Sequence, residues 1–99
     1  MANRKLKRLS NVDELTRLFN RRYFDEVLIR EIKRLKGSSF YFSLILCDID
    51  QFKQYKGAYG HWVGDDCIRS IASVMQRCCR RASDIVARYG GEEFCVVSP

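Results

Sequence analysis

The chain has 99 residues, enough for one small domain, and 46% of them are hydrophobic, which excludes an intrinsically disordered segment. No apolar run approaches the ~20 residues that a membrane-spanning helix needs, and the basic start lacks the apolar stretch of a secretory signal. The net charge of +6 is compatible with nucleic acid, anionic lipid or a nucleotide polyphosphate as a partner.

The first elements can be predicted from charge and apolar spacing. Residues 1–10 contain a basic cluster, which we interpret as a solvated connecting segment ahead of a domain over residues 11–99. Apolar residues recur at helical spacing over residues 22–36, and this pattern predicts an amphipathic helix that Gly37 ends. Residues 40–47 form a nearly continuous apolar run, which predicts a short buried strand.

The second half of the chain alternates between the same two kinds of pattern. Residues 48–60 are polar and rich in glycine, which predicts a loop with room for a short helical turn. Helical spacing returns over residues 63–80, and two strands are predicted at residues 85–89 and 94–97. Residues 90–93, GGEE, would form the hairpin turn between them, so the whole predicts a layered α/β domain.

The five cysteines point to a reducing compartment. Their number is odd, no C-x-x-C pair occurs, and a single histidine leaves poor material for a zinc site. Cys47 and Cys95 lie in apolar, strand-like runs, where cysteine packs as a small hydrophobic residue. We therefore expect a reduced, cytoplasmic protein.

Two acidic pairs could form a cation site. Asp48 and Asp50 follow the first predicted strand, and Glu92 and Glu93 lie in the hairpin turn. If the hairpin pairs beside that strand, Asp48 and one glutamate converge, and carboxylates without histidine or thiolate suit a hard cation such as Mg²⁺. Lys53 could add positive charge for phosphates. Spacing alone, however, favours four ordinary solvated turn residues.

Four strings in the chain resemble the motifs of GGDEF domains, the diguanylate cyclase family. They are DELTRLFNRR at residues 13–22, DIDQFK at 48–53, YGHWVGD at 59–65 and RYGGEEF at 88–94. Any one of these would be a weak signal, but four in the right order are a strong one. The resemblance runs from about residue 9 to residue 99, with Arg17 in place of the glycine usual in the opening motif.

The resemblance implies a fold of the α/β (α+β) class, a ferredoxin-like, nucleotide-cyclase-type palm with a central antiparallel sheet flanked by helices. Family domains continue with a further helix and a strand that pairs beside the first strand. The domain at residues 11–99 would thus be C-terminally incomplete, and the strand at residues 40–47 would keep an unpaired edge that invites association.

The resemblance also implies an activity and its partners. A homodimer would condense two GTP molecules into cyclic di-GMP and pyrophosphate with two Mg²⁺ ions, for which Mn²⁺ could substitute. A sensory or regulatory domain would precede the catalytic one. Neither nucleic acid nor a direct membrane span is expected, because no helix carries an arginine stripe and no apolar run is long enough.

Matching positions take family roles through the same resemblance. Asp48 and Glu92 would ligate the metal ions together with the carbonyl of Ile49, and Glu92 would help to remove the proton of the attacking hydroxyl. Lys53 would contact phosphate.

Other matching positions concern the nucleotide. Gly90 and Gly91 would let the backbone approach it, and Asp65 would accept hydrogen bonds from guanine. Lys56 stands where active members carry a guanine-binding asparagine, and an ammonium can donate but not accept. This departure favours an alternative function, a catalytically impaired domain that senses GTP or cyclic di-GMP.

Arg81 and Asp84 have the R-x-x-D spacing of the family's inhibitory product site. There an arginine would grip guanine or phosphate of cyclic di-GMP, and the aspartate would accept from guanine. The alternative is an arginine at a helix C-terminus followed by a polar turn.

Overall fold

The structure, a computed structural model, describes residues 10–99, so the predicted connecting segment lies outside the described residues except for Ser10. The elements in chain order are β1 (Phe19–Asn20), α1 (Arg21–Leu35), β2 (Ser43–Asp48), α2 (Phe52–Tyr59), α3 (His61–Cys78), β3 (Ile85–Arg88) and β4 (Glu93–Ser98). Within residues 10–99, no helix combines the length and the apolar character needed to cross a membrane.

One four-stranded sheet organises the domain in the order β1-β3-β4-β2. β4 pairs antiparallel with both β3 and β2, whereas the two-residue β1, which the sequence did not predict, runs parallel to β3. The fold is therefore the expected palm, with a sheet that is antiparallel apart from β1.

Helices pack on both faces of the sheet. Successive side chains of β4 point to opposite faces, so its apolar residues give each face a surface on which helices pack. On one face, Phe94 and Val96 pack with Ile68 of α3 and Phe52 of α2. The opposite face joins three buried side chains of the sheet to α1; they are Ala87, Cys95 and Val97, which pack around Phe24. Full burial of one such large apolar side chain stabilises the fold by about 1.5–3 kcal/mol.

Local hydrogen bonds set the limits of α1, close to the predicted residues 22–36. The side chain of Asn20 caps the first turn by accepting the Tyr23 backbone N–H at 3.0 Å. At the other end, Ser38 N–H donates to the Leu35 carbonyl, and Gly37 adopts φ +78°, which glycine reaches without strain.

The predicted loop at residues 48–60 is wrong, because most of it is the helix α2. Its first residue, Phe52, is only 7% exposed and anchors the helix to the core between α3 and the sheet. Gly60, at φ +92°, separates α2 from α3, which begins two residues before the predicted start at residue 63. Tertiary burial of one aromatic side chain thus outweighs a polar, glycine-containing local sequence.

β2 also differs from the buried strand predicted over residues 40–47. It begins at Ser43, and its apolar residues Leu44 and Leu46 are 53% and 64% exposed. β2 lies at the sheet edge, where it pairs with β4 alone among the described strands, and Leu44 and Leu46 belong to neither of the two buried clusters that pack helices on the sheet. Within residues 10–99, the other edge of β2 pairs with no strand.

The opening motif forms a tight turn before β1. The Asp13 carboxylate accepts hydrogen bonds from the backbone N–H and the hydroxyl of Thr16, at 3.0 and 2.8 Å. Arg17 has φ +65°, a left-handed conformation that is strained for a residue with a Cβ. This explains why glycine suits the position in the family motif that Arg17 departs from.

Candidate active site

The end of β2 meets the signature hairpin, residues 88–94, through backbone pairing. Asp48 lies directly opposite Glu93 in the register of β2 and β4, and the Ile49 N–H donates to the Glu92 carbonyl at 3.1 Å. The sheet therefore places Asp48, Ile49 and the two glutamates at one end of two neighbouring strands.

A cleft of about 440 Å³ lies between α2, α3 and this hairpin. Its walls are Leu15, Phe52, Lys53, Lys56, His61, Asp65, Ile68, Arg88, Gly91 and Glu92. Five of the residues proposed for substrate or metal from the sequence are among them: Lys53, Lys56, Asp65, Gly91 and Glu92. Asp48, Ile49 and Gly90 are not part of the wall. Gly90 directly precedes the wall residue Gly91, and the Ile49 N–H donates to the carbonyl of the wall residue Glu92.

The cleft exists because α2 is a helix. Phe52, Lys53 and Lys56 stand at positions i, i+1 and i+4, so they share one face of it. Lys56 is therefore a helical residue, and its predicted place in a loop is wrong. The spacing of these three residues was the available signal, but the surrounding polar residues and Gly57, which follows Lys56, obscured it.

Gly64 in α3 lets the two helices pack closely enough to form the cleft wall. A Cβ at this position would lie 3.3 Å from Cγ of Lys56 and 3.4 Å from the ring of Phe52. A Cβ at this position would require the Lys56 side chain to move by a few tenths of an ångström. The close approach of the two helices therefore favours glycine in the first turn of α3.

Gly90 faces the side chain of Glu93 within the hairpin. A Cβ there would overlap the carboxylate of Glu93, whose backbone carbonyl accepts the Tyr89 N–H at 2.7 Å. Gly91 differs, since a Cβ there would point into open space beside the cleft. A nucleotide could therefore approach the backbone at Gly91 more readily than at Gly90.

Arg88 is the main residue that sequence reasoning left without a role. Its guanidinium donates to the Gly91 carbonyl from Nε at 3.1 Å and from Nη2 at 2.8 Å. Its Nη1 also lies 3.3 Å from Oδ2 of Asp13, a residue 75 positions earlier in the chain. The arginine therefore ties the signature hairpin to the opening motif.

The environment of Asp13 favours its ionised form. Burial raises the pKa of this carboxyl, but hydrogen bonds from Thr16 and the charge of Arg88 together lower it below its ordinary value. Only 18% of the Arg88 side chain and 23% of the Asp13 side chain are exposed, so solvent screens this pair less than a surface ion pair.

The cleft carries both signs of charge in separate places. Lys53 and Lys56 supply positive charge suited to phosphate oxygens, whereas Asp65 and Glu92 supply acceptors. His61 opens α3 and lines the cleft, with its Nε2 3.9 Å from Oδ2 of Asp65. The arrangement can bind a ligand that has a polyanionic end and a hydrogen-bond-donating end.

Arg81 and Asp84 lie elsewhere, in the turn between α3 and β3. Asp84 accepts the Arg81 backbone N–H at 3.3 Å and the Ser98 hydroxyl at 2.8 Å, so its carboxylate also stabilises this turn. The Arg81 side chain is exposed. The turn precedes β3 and the signature hairpin follows it, so the length of one strand separates the two places.

The described part of the chain resembles known proteins along its whole length. Residues 10–99 match the family "Diguanylate cyclase, GGDEF domain". Diguanylate cyclase VdcA of Vibrio cholerae is 42% identical over 87 residues, 88% of this chain and 24% of VdcA. The cyclic di-GMP phosphodiesterase NbdA of Pseudomonas aeruginosa is 36% identical over 99 residues, 98% of this chain and 12% of NbdA.

A solved structure shares both the fold and the sequence. The GGDEF domain of DgcB from Caulobacter crescentus, in complex with cyclic di-GMP, superposes with a TM-score of 0.87 and 39% identity. The match covers 94% of this chain and 52% of the DgcB chain. The chain thus spans about half of this structural relative and a quarter or less of the two curated relatives.

Proposed function

Because the chain belongs to the diguanylate cyclase GGDEF family, we propose that it condenses two GTP molecules into cyclic di-GMP with release of pyrophosphate. The observation that carries the proposal is one cleft in which Lys53, Asp65 and Glu92 meet. Its volume, about 440 Å³, is in the range of sites for small ligands.

The charges of the cleft suggest how one GTP lies in it. Asp65 accepts hydrogen bonds from the N–H groups on the edge of guanine, which adenine does not present in the same place. Lys53 contacts the triphosphate, whose oxygens attract an ammonium group. Gly91, which presents no side chain to the cleft, leaves room for the nucleotide against the hairpin backbone.

The reaction needs two such sites face to face, because each cleft holds one nucleotide. The 3′-hydroxyl oxygen of each GTP attacks the α-phosphorus of the other, and the bond from that phosphorus to pyrophosphate breaks. Two of these transfers form the two phosphodiester bonds of the cyclic product and release two pyrophosphates. Glu92 takes the proton of the attacking hydroxyl. The partner is thus a second copy of this chain.

The oxygen donors at the hairpin fit a hard divalent cation. Among residues 10–99, no cluster of three or more His, Cys, Asp or Glu side chains could enclose a metal. Mg²⁺ does not need one, since it takes one or two carboxylates and fills its octahedron with phosphate oxygens and water. Asp48, Glu92 and the Ile49 carbonyl would hold two Mg²⁺ ions, or Mn²⁺, which would neutralise triphosphate charge and acidify the 3′-hydroxyl.

The cellular setting is part of the same proposal. GTP as the substrate and the free cysteines among the described residues suit the cytoplasm. A sensory or regulatory domain preceding this one would control how two clefts meet. Cyclic di-GMP is then both the product and, as in the DgcB complex, a ligand.

The direct test is to incubate the polypeptide that carries this domain with GTP and Mg²⁺ and to separate the products by chromatography. We expect cyclic di-GMP and pyrophosphate, and neither from GTP with EDTA. Measurable GTP binding without any product would contradict the cyclase and support the sensor.

The alternative, a domain that senses GTP or cyclic di-GMP without catalysis, is favoured by Lys56. This lysine lines the cleft where the family uses an asparagine. Moreover, NbdA is a phosphodiesterase that contains a stretch 36% identical to this chain, so similarity to this stretch does not by itself assign cyclase activity.

Lys56→Asn is expected to raise kcat/KM for GTP by a few-fold to about tenfold and to sharpen discrimination against ATP. An amide can accept from the guanine 2-amino group and donate to N3, and one added hydrogen bond contributes about 0.5–1.5 kcal/mol. Steady-state kinetics with both nucleotides provide the measurement. Lys33→Asn, on α1 and away from the cleft, is the matched control. Unchanged GTP affinity in Lys56→Asn would mean that Lys56 does not face the base.

Arg81→Ala is expected to weaken cyclic di-GMP binding about tenfold or more and to relieve product inhibition without lowering the initial rate. The guanidinium makes charge-assisted hydrogen bonds that alanine cannot replace. Calorimetry with cyclic di-GMP measures the affinity, and Arg80→Ala, which removes the neighbouring exposed arginine, is the control. Equal affinities in Arg81→Ala and the parent would remove the inhibitory role from this turn.

A further inference from the structure

Tyr89 lies at the base of the signature hairpin, beside the cleft residue Arg88 but packed on the other face of the sheet. It borders the buried cluster around Phe24 that joins α1 to the sheet. The ring of Phe24 meets the ring of Tyr89 edge-on, with centroids 5.8 Å apart. The hairpin thus has one side chain in the cleft and the next one against α1.

Two charged residues of the first turns of α1 hold Tyr89 in this place. Its hydroxyl donates to Oδ1 of Asp25 at 2.9 Å, and the guanidinium carbon of Arg21 lies 4.3 Å from the ring centroid. Arg21 Nε is also 3.9 Å from Oδ2 of Asp25, one helical turn away. The hydrogen bond to Asp25, with burial, raises the pKa of the Tyr89 hydroxyl, so the group remains a donor at neutral pH.

The backbone carries this restraint to the cleft. The Tyr89 N–H donates to the Glu93 carbonyl at 2.7 Å, and the Gly90 N–H donates to the same oxygen at 3.3 Å. Between them lie Gly91 and Glu92, which line the cleft. A movement of Tyr89 relative to α1 would therefore displace the backbone that presents Glu92.

We infer that Arg21 and Asp25 are positioning residues, which act through Tyr89 to fix the hairpin that presents Gly91 and Glu92. The catalytic consequence rests on the proposed function, whereas the restraint on the hairpin does not. A ring held only by packing against Phe24 would need no hydroxyl, since phenylalanine fills the same space. The hydrogen bond to Asp25 is therefore the feature that distinguishes positioning from packing.

Tyr89→Phe isolates this hydrogen bond, because it keeps the ring under Arg21 and against Phe24. The first readout is amide hydrogen exchange by NMR in the polypeptide that carries this domain. Exchange at Tyr89 and Gly90 is expected to accelerate about tenfold or more, the effect of losing one hydrogen bond to a charged group. The amide of Val86 in β3 should not change, which separates a local opening from global unfolding. Tyr23→Phe is the matched control, because its ring packs on Phe19 rather than on the hairpin.

The second readout is steady-state kinetics in the polypeptide that carries the domain. Tyr89→Phe is expected to lower kcat about three- to tenfold with a smaller change in KM, because a misplaced Glu92 affects the reacting geometry more than GTP binding. Asp25→Asn keeps an acceptor for the hydroxyl and should retain most of kcat. Asp25→Ala should resemble Tyr89→Phe, and the double variant should be no worse than either single one.

The outcomes separate this inference from the proposed function. If amide exchange accelerates in Tyr89→Phe while the parent makes no cyclic di-GMP, the restraint on the hairpin is supported. Only the proposed cyclase activity is then overturned. Unchanged exchange and kinetics in Tyr89→Phe, with an active parent, would overturn the positioning role alone. Additive losses in the double variant would also overturn it, since the two residues would then act separately.

Discussion

Asp48→Ala is expected to lower cyclic di-GMP formation by about 100-fold or more while leaving the fold nearly intact. The loss follows from the proposed role of this carboxylate, which would hold Mg²⁺ beside the triphosphate. A fixed charge in that position stabilises the charge that develops in the transition state. The fold should survive because Asp48 is exposed at the last position of an edge strand and contributes no buried apolar surface. Product analysis by chromatography and a thermal melt of the same sample measure the two effects.

Asp50→Ala is the matched control for that result. Asp50 is also an exposed carboxylate, two residues further along the chain, but it lies beyond β2 and is not paired with the hairpin strand as Asp48 is. Turnover within about twofold of the parent is expected for this variant. Turnover of Asp48→Ala at the parent level, or an equal loss in both variants, would rule out a specific metal role for Asp48.

Arg88→Ala is expected to lower the free energy of unfolding by about 2–3 kcal/mol and to reduce turnover as well. The substitution removes the cation beside the partly buried Asp13 carboxylate, which keeps only its hydrogen bonds from Thr16, and it removes the guanidinium donors of the Gly91 carbonyl. Loss of the hairpin anchor would also release Gly91 at the cleft. Urea denaturation followed by circular dichroism gives the stability.

Arg69→Ala provides the comparison for Arg88→Ala. Arg69 pairs with Asp66 on the surface, where the two side chains are 48% and 74% exposed, so its loss should cost less than about 0.5 kcal/mol. An equal decrease in the free energy of unfolding in the two variants would show that the Arg88–Asp13 ion pair stabilises the fold no more than a surface ion pair does.

The contribution of Asp13 to stability should depend on pH in a defined direction. The pKa of Asp13 is lower in the folded chain than in the unfolded chain. Its ionised form therefore stabilises the fold fully at pH values above the pKa that Asp13 has in the unfolded chain. This stability is lost as the pH falls through the folded pKa. The stability difference between the parent and Asp13→Asn should therefore shrink below about pH 4.

Local elements of the fold were predictable because their causes are local in the sequence. The helix at residues 22–36 follows from apolar spacing and a capping asparagine, and the hairpin follows from paired glycines between two apolar runs. Their observed limits, Arg21–Leu35 for α1 and Glu93–Ser98 for β4, lie within one residue of the prediction. Hydrogen bonds between near neighbours set the limits of α1, whereas the end residues of β4, Glu93 and Ser98, are paired with Asp48 and Ser43 of β2.

Only the tertiary structure could decide α2 and the exposure of β2. Helix α2 depends on the burial of Phe52 against α3, and neither its glycine nor its polar residues predict a helix. The apolar run at residues 40–47 predicts a strand equally well at the centre or the edge of a sheet. Its position depends on which strands pair with it, and among the described strands β4 alone does.

The candidate site divides in the same way. The sequence alone identified, through its motifs, the candidate residues Asp48, Lys53, Asp65 and Glu92, whose roles stay predictions. The tertiary structure alone brought Asp13 to Arg88, and Asp25 to Tyr89, across separations of 75 and 64 residues. Such contacts depend on how α1 and the opening turn pack on the sheet, because a hydrogen bond between distant residues leaves no periodicity in either segment.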